Sequence, residues 1–326
     1  MNLKTPRIAT LTTLKGPLKE TLLFVRYHLS AGIEKMFLFF DDPADPAIAS
    51  LRDNPRVDCV PCDRHHWGST DPRPLAIEER QHYNAWRGLR LAREQGFDWV
   101  IHIDSDELVY SKCGLERLFG TLDPSVQVLH FPTLEAIPEK LAFENVFAEA
   151  RFFRVAAPQV HGRKHERIKL RLRLESYQRL RPVVALLNDR DFFGESFLLG
   201  HVLGKSATRA NAPVASIWNH YPNPVEGETL RTKVAKEAWL LHYDACGFDA
   251  WATKWKRRYT DEARCIGLPP RRQRQGDRFI SLYRNNDVEG LKQLYKELYF
   301  LSGKELAILR AFGYVRKLTV PAANFS

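Results

Sequence analysis

Asp98-Trp99-Val100-Ile101-His102-Ile103-Asp104-Ser105-Asp106-Glu107 decides the fold class of this chain, because a short apolar run opens directly onto three acidic side chains. Such a run reads as a buried strand whose carboxyl end delivers its acids to a crevice edge. Side chains alternate along a strand, so the stretch predicts Asp104 and Asp106 on one face and Ser105 on the other. Two carboxylates sharing a face repel unless a cation lies between them. Hard oxygen ligands of this kind suit Mg2+ or Mn2+, especially beside phosphate oxygens. The plainer alternative is a strand that ends in a solvated acidic turn.

Working outward, the first 110 residues alternate strand and helix patterns. Residues 7–14 read as a first strand closed by Lys15-Gly16-Pro17, and 20–31 as a helix ended by Gly32. Residues 35–40 form an apolar strand that stops at Asp41-Asp42-Pro43; 48–52 read as a short helix and 57–61 as a third strand. A loop is expected over 65–74. The long amphipathic pattern of 75–95 ends at Gly96 and feeds the strand before Asp104. This order is that of an open, mostly parallel sheet with helices on both faces, in which ligands collect outside the carboxyl ends of the strands. Asp41, Asp42, Asp104 and Asp106 should therefore share one rim. Beyond it, strands are predicted at 126–131, 152–155 and 169–174. Helices are predicted at 231–242, 248–259 and from 277 to about 312.

With 326 residues and 44% hydrophobic content, the chain suffices for one large α/β domain or two smaller ones. No apolar run reaches the length of a membrane span, and the first residues lack a secretory signal pattern, so a cytoplasmic protein is expected. Five cysteines, including the pair Cys59 and Cys62, read as reduced structural thiols. The net charge of +10 is uneven: ten Lys or Arg against two Glu lie between Arg151 and Arg181, and a second basic run spans 254–274. Such fields attract phosphates on nucleotides or on anionic lipid, or else form a solvated basic face.

In order along the chain, these pieces resemble a glycosyltransferase of the GT-A type, in the family-2-like and family-92-like group. The resemblance is carried by Thr12-Thr13-Leu14-Lys15 with Glu20, and by Phe39-Phe40-Asp41-Asp42-Pro43-Ala44-Asp45. It continues through Arg80-Gln81-His82-Tyr83-Asn84 and Trp99 to Glu107, which matches a D-x-D block. Shorter islands follow at Gly204-Lys205-Ser206, Asn219-His220-Tyr221-Pro222, Leu241-His242-Tyr243 and Lys254-Trp255. The resemblance implies a Rossmann-like GT-A domain over 1–265 (a nucleotide-binding half at 1–110, an acceptor-side half at 111–265) and a helical extension over 266–326. It also implies a sugar moved from a nucleotide-diphosphate sugar to a glycan or lipid-linked acceptor hydroxyl, with a divalent cation, Mn2+ or Mg2+, bridging the diphosphate. The donor contacts expected from it are Thr12, Lys15, Asp41, Arg80, Asn84, Asp104 and Lys205, with Arg209 beside Lys205.

Asp106 is expected to touch the cation directly, with Asp104 on metal or ribose. A downstream His completes such sites in GT-A enzymes. His220 is favoured over His242, and His201 stays open. An inverting transferase needs a general base, for which Glu195 and Asp191 are the candidate carboxylates. Arg163, Lys164 and Arg167 are candidates for an anionic acceptor or for peripheral contact at the inner face of a membrane. Two rival readings remain. The D-x-D also fits a haloacid-dehalogenase-like phosphatase, although there the motif ends the first strand. The basic runs also fit a membrane- or nucleic-acid-binding protein, although no zinc-finger, helix-turn-helix or RNP pattern accompanies them and no nucleic acid is expected.

Overall fold

A computed structural model describes residues 5–68, 73–155, 203–244, 246–260, 270–311 and 313–326. In chain order its elements begin with β1 (Ile8–Leu14), α1 (Leu18–Ser30), β2 (Lys35–Phe40), α2 (Pro46–Leu51), β3 (Val57–Pro61), α3 (Arg64–Trp67) and α4 (Ile77–Glu94). They continue with β4 (Trp99–His102), β5 (Glu107–Ser111), α5 (Leu115–Gly120), β6 (Val128–Phe131), β7 (Thr133–Ile137), α6 (Val146–Glu149) and β8 (Phe152–Val155). Next come β9 (Lys205–Arg209), β10 (Val214–Ile217), β11 (Pro222–Pro224), β12 (Thr232–Val234) and β13 (Ala238–His242). The chain closes with α7 (Phe248–Thr260), α8 (Pro270–Arg284), α9 (Val288–Tyr299), α10 (Gly303–Ala311) and β14 (Val315–Lys317). None of the described helices is long and apolar enough to cross a membrane.

The chain splits into two compact units. The first comprises Met1–Thr133, Leu203–His242 and Pro321–Ser326. Its seven-stranded sheet runs β12-β6-β9-β4-β1-β2-β3. Strands β3, β2, β1 and β4 are mutually parallel, and β9 runs antiparallel between β4 and β6. Every residue of β1 and β4 is buried, as expected of central strands covered on both faces. Helix α4 lies against β1 through Ala85, Gly88, Leu89 and Ala92. At Gly88 helix and strand approach closely: a Cβ would stand 3.0 Å from the Leu11 Cβ and 3.3 Å from the Phe39 ring. Separately, β5 and β13 pair antiparallel with His242 opposite Glu107. The residues after Pro321 return to α1, where Phe325 stacks on Tyr27 at 5.6 Å.

The second unit comprises Leu134–Val202 and Tyr243–Val320. Strand β8 pairs antiparallel with both β7 and β14. Trp251, Trp255, Phe279, Leu294, Tyr295 and Tyr299 form the core of its helices α7, α8 and α9. Within this unit the buried Arg154 meets Glu135 at 3.2 Å and donates to the Tyr299 carbonyl.

Four expectations need correction. The helix predicted over 231–242 is replaced by β12 and β13: Glu237 takes a left-handed φ of 55°, and the five residues after it are wholly buried against β5. A short run of four apolar residues and a histidine fits either period, and strand pairing decides it. The acidic stretch is not a continuous strand, because β4 stops at His102 and residues 104–107 turn, with Glu107 N donating to Asp104 O at 3.1 Å. The helix expected from 277 onward is three helices. The first break is at Asn286, left-handed at φ 54°, with Asp287 capping Gly290. The second is a capping box, in which Ser302 N donates to Glu305 and Glu305 N donates to the Ser302 hydroxyl. A short α3 also occupies part of the loop expected over 65–74. The strand expected at 169–174 lies outside the described residues.

Candidate active site at the carboxyl rim

The parallel strands of the first unit end side by side. There β1 presents Thr13 and the exposed Lys15, β2 presents Asp41, and β4 leads into Asp104. Thr12 is wholly buried one residue short of the edge. Asp41 is nearly buried, and its Oδ1 accepts from Arg73 Nη2 at 2.8 Å and faces Arg80 Nε at 3.0 Å. Arg80 is tied in turn to the carbonyls of Pro74 and Leu75, each at 2.9 Å. Two guanidiniums on one carboxylate fix its plane and leave their remaining N–H groups for an acceptor. Asn84, buried on α4, donates to the Thr13 hydroxyl at 3.0 Å.

Turning at 104–107 sends the two aspartates to different partners. Asp104 Oδ2 lies 2.8 Å from the ammonium of Lys205, and its Oδ1 accepts from Gln81 at 2.8 Å. Asn219 donates to Gln81 at 3.0 Å, so the β10–β11 turn, helix α4 and the acidic turn share one hydrogen-bonded chain. Lys205 and Glu107 are wholly buried and 3.6 Å apart, and Glu107 also accepts from the Asp104 amide at 2.8 Å. Burial pulls the Lys205 ammonium down, yet Asp104 and Glu107 outweigh it and hold its pKa above the ordinary value. Burial, then the Lys205 charge, drive His102 down to about 3, so its imidazole stays neutral.

Asp106, a third exposed, meets the buried His242: Nε2 and Oδ2 are 3.9 Å apart. The β5–β13 register creates this contact, since His242 lies opposite the residue after Asp106. The donor set, carboxylate with imidazole, suits Mn2+ and tolerates Mg2+. Burial first, and then the Asp106 charge, hold the Glu20 carboxyl above its ordinary value, so negative charge accumulates where a cation would relieve it.

Of the residues expected to hold a cation, the structure thus places Asp106 with His242, and Asp104 with Lys205. It places His220 in the β10–β11 turn, where Nδ1 lies 2.8 Å from the Gly204 carbonyl. Arg209 donates to the Val126 carbonyl at 2.7 Å and covers the Trp99 ring. Glu195, Asp191, His201, Arg163, Lys164 and Arg167 lie outside the described residues. Cys59 and Cys62 are free, and burial pushes them up to about 11 and about 12, where thiolate chemistry is suppressed. Arg73 is not singled out by the sequence, and Glu107 and Asn219 stand there within quoted motifs without a role of their own.

No family model matches the chain. Over 171 residues, 46% of its length, it is 23% identical to an Arabidopsis thaliana protein named glycosyltransferase-like. A second protein of that name and organism is 25% identical over an equal share. The chain spans 33% and 38% of these two relatives' lengths. Among solved structures, HddC from Yersinia pseudotuberculosis aligns at 13% identity and a TM-score of 0.33, covering 73% of this chain and 93% of that one. Glucosyl-3-phosphoglycerate synthase from Mycobacterium tuberculosis, in complex with Mn2+, UDP-glucose and phosphoglyceric acid, aligns at 13% identity and a TM-score of 0.31, covering 65% and 61%. Superpositions this loose assign no residue and no reaction.

Proposed function

We propose that this chain is a metal-dependent glycosyltransferase of the GT-A type, moving a sugar from a nucleotide-diphosphate donor to a hydroxyl of a glycan or glycolipid. The observation that carries the proposal is the meeting of Asp106 and His242 at the carboxyl rim of a mostly parallel sheet. The names of the two plant relatives agree with it. Asp106 and His242 would hold the cation. Bound there, Mn2+ or Mg2+ would neutralise the charge that gathers on a departing diphosphate.

The protein's own groups divide the remaining work. Asp104, neutralised by Lys205, is a carboxylate held in one orientation, suited to accept from ribose hydroxyls. The Asp41, Arg73 and Arg80 cluster orients the nucleoside, and the exposed Lys15 offers a cation at the end of β1. Glu195 and Asp191 remain the carboxylates proposed to take the acceptor proton.

Incubation with Mn2+ and a panel of UDP- and GDP-sugars, followed by release of nucleotide diphosphate, tests the reading. Asp106→Asn and His242→Ala should each lower release at least 100-fold. Release that persists in chelator, or that survives both substitutions, would refute it.

A further inference from the structure

Behind the rim, four side chains form a hydrogen-bonded file whose direction is forced by chemistry. Arg87 Nη1 lies 2.9 Å from His66 Nδ1. His66 Nε2 lies 2.6 Å from Asn84 Oδ1, and Asn84 Nδ2 lies 3.0 Å from Thr13 Oγ1. A guanidinium has no acceptor, so the His66 nitrogen that faces it must accept. The ring proton then sits on Nε2 and donates to Asn84. The amide oxygen must take that proton, which turns the amide N–H toward Thr13. The Thr13 oxygen therefore accepts, and its own O–H remains to donate elsewhere.

Every member is held in place. Asp63 caps α3 by accepting from the His65 and His66 amides at 2.9 and 3.0 Å. Tyr83 donates to the His66 carbonyl at 3.2 Å. Asn84 is 1% exposed and His66 6%, so water does not compete for these bonds. Burial, the first cause, lowers the His66 pKa, consistent with a neutral ring. Thr13 differs from its strand neighbours in one respect: Thr10 and Thr12 are 0% exposed, whereas Thr13 keeps 8% at the edge of β1. Among the described residues its hydroxyl proton has no acceptor.

We infer that the Arg87–His66–Asn84 file keeps the Thr13 O–H free to donate at the rim, where it meets an oxygen acceptor of the ligand seated there. Thr13 is the contact residue, and Arg87, His66 and Asn84 are positioning residues that act through it. The occupant rests on the function proposed above: an acceptor oxygen of the nucleotide part of the donor.

Two measurements test this. Nitrogen-15 NMR of His66 at pH 7 should show the proton on Nε2 and a bare Nδ1, and Arg87→Met should abolish that preference. Calorimetry with UDP, CDP, GDP and ADP in the presence of Mn2+ should show preference for one diphosphate. Thr13→Val should weaken its binding about tenfold, the effect of one lost hydrogen bond, while Thr13→Ser restores it. Arg87→Met should narrow the preference among the four without removing binding. A proton on Nδ1 overturns the file whatever binds. Binding that Thr13→Val leaves unchanged overturns the donor role and leaves the function standing. A wild type that binds none of the four diphosphates overturns the function, and this occupant with it, while the His66 spectrum still decides the direction of the file.

Discussion

The Lys205 ammonium is the residue on which the acidic turn depends. It is wholly buried, lies 2.8 Å from Asp104 and 3.6 Å from Glu107, and thereby makes two carboxylates tolerable within a few ångströms. Removing one partner of a buried ion pair leaves an uncompensated charge, which costs more than the pair contributes. Lys205→Met should therefore lower unfolding free energy by about 3–5 kcal/mol in urea titration. Adding Glu107→Gln to it should recover part of that loss, and strict additivity of the two would refute the coupling. Asp106 is the opposite case. It is partly solvated, so Asp106→Asn should change stability by no more than about 0.5 kcal/mol while nearly abolishing metal-dependent release. A large stability loss there would mean that Asp106 is structural.

Among elements, β9 shows how one backbone conformation holds the site. Gly204, just before Lys205, has φ 68°, and a Cβ on it would stand 2.2 Å from the Phe131 carbonyl. Its own carbonyl meets His220 Nδ1. A side chain there meets both a left-handed backbone and a fixed oxygen, so Gly204→Ala should cost at least about 2 kcal/mol and displace Lys205 from Asp104. Wild-type melting behaviour of that variant would contradict the close approach. The legibility of elements follows the same physics. Strands β1 to β4 could be read because each is an apolar run stopped by Asp, Gly or Pro, and α4 because its period is long enough to be unambiguous. The run into Asp104 thus gave the parallel sheet and its acidic edge. Strand β13 reads as helix in the sequence because a run of four apolar residues and a histidine carries no period of its own. The split of Asp104 from Asp106 was hidden for a different reason: the strand ends two residues early, at His102. Nor does any spacing in the sequence bring Asp106 to His242. That contact is made by strand register between distant segments, which only the fold supplies.

At the scale of the whole chain, pH reaches the first unit through two buried histidines. His28 Nδ1 lies 2.9 Å from the Phe24 carbonyl, and Val109 N donates to its Nε2 at 3.3 Å, so the ring is bound as a neutral tautomer. Burial drives His28 down to about 4, and burial with the Lys205 charge drives His102 to about 3. In the unfolded chain both would titrate near about 6.5. Between that value and the folded ones, the unfolded state binds protons that the folded state refuses. The stabilisation from both rings is therefore complete above about pH 6.5 and is lost as pH falls toward 4. At pH 5 each ring should have given up about 2 kcal/mol, so the pair accounts for a loss of about 4 kcal/mol relative to pH 7.5. Hydrogen exchange of the β1 and β4 amides would measure the loss as a reduced opening free energy, and NMR should show both rings still neutral in the folded protein at pH 5. Should either ring titrate near 6.5 while those amides stay protected, the burial assigned to it is wrong, and the acid sensitivity must come from the carboxylates around Lys205 instead.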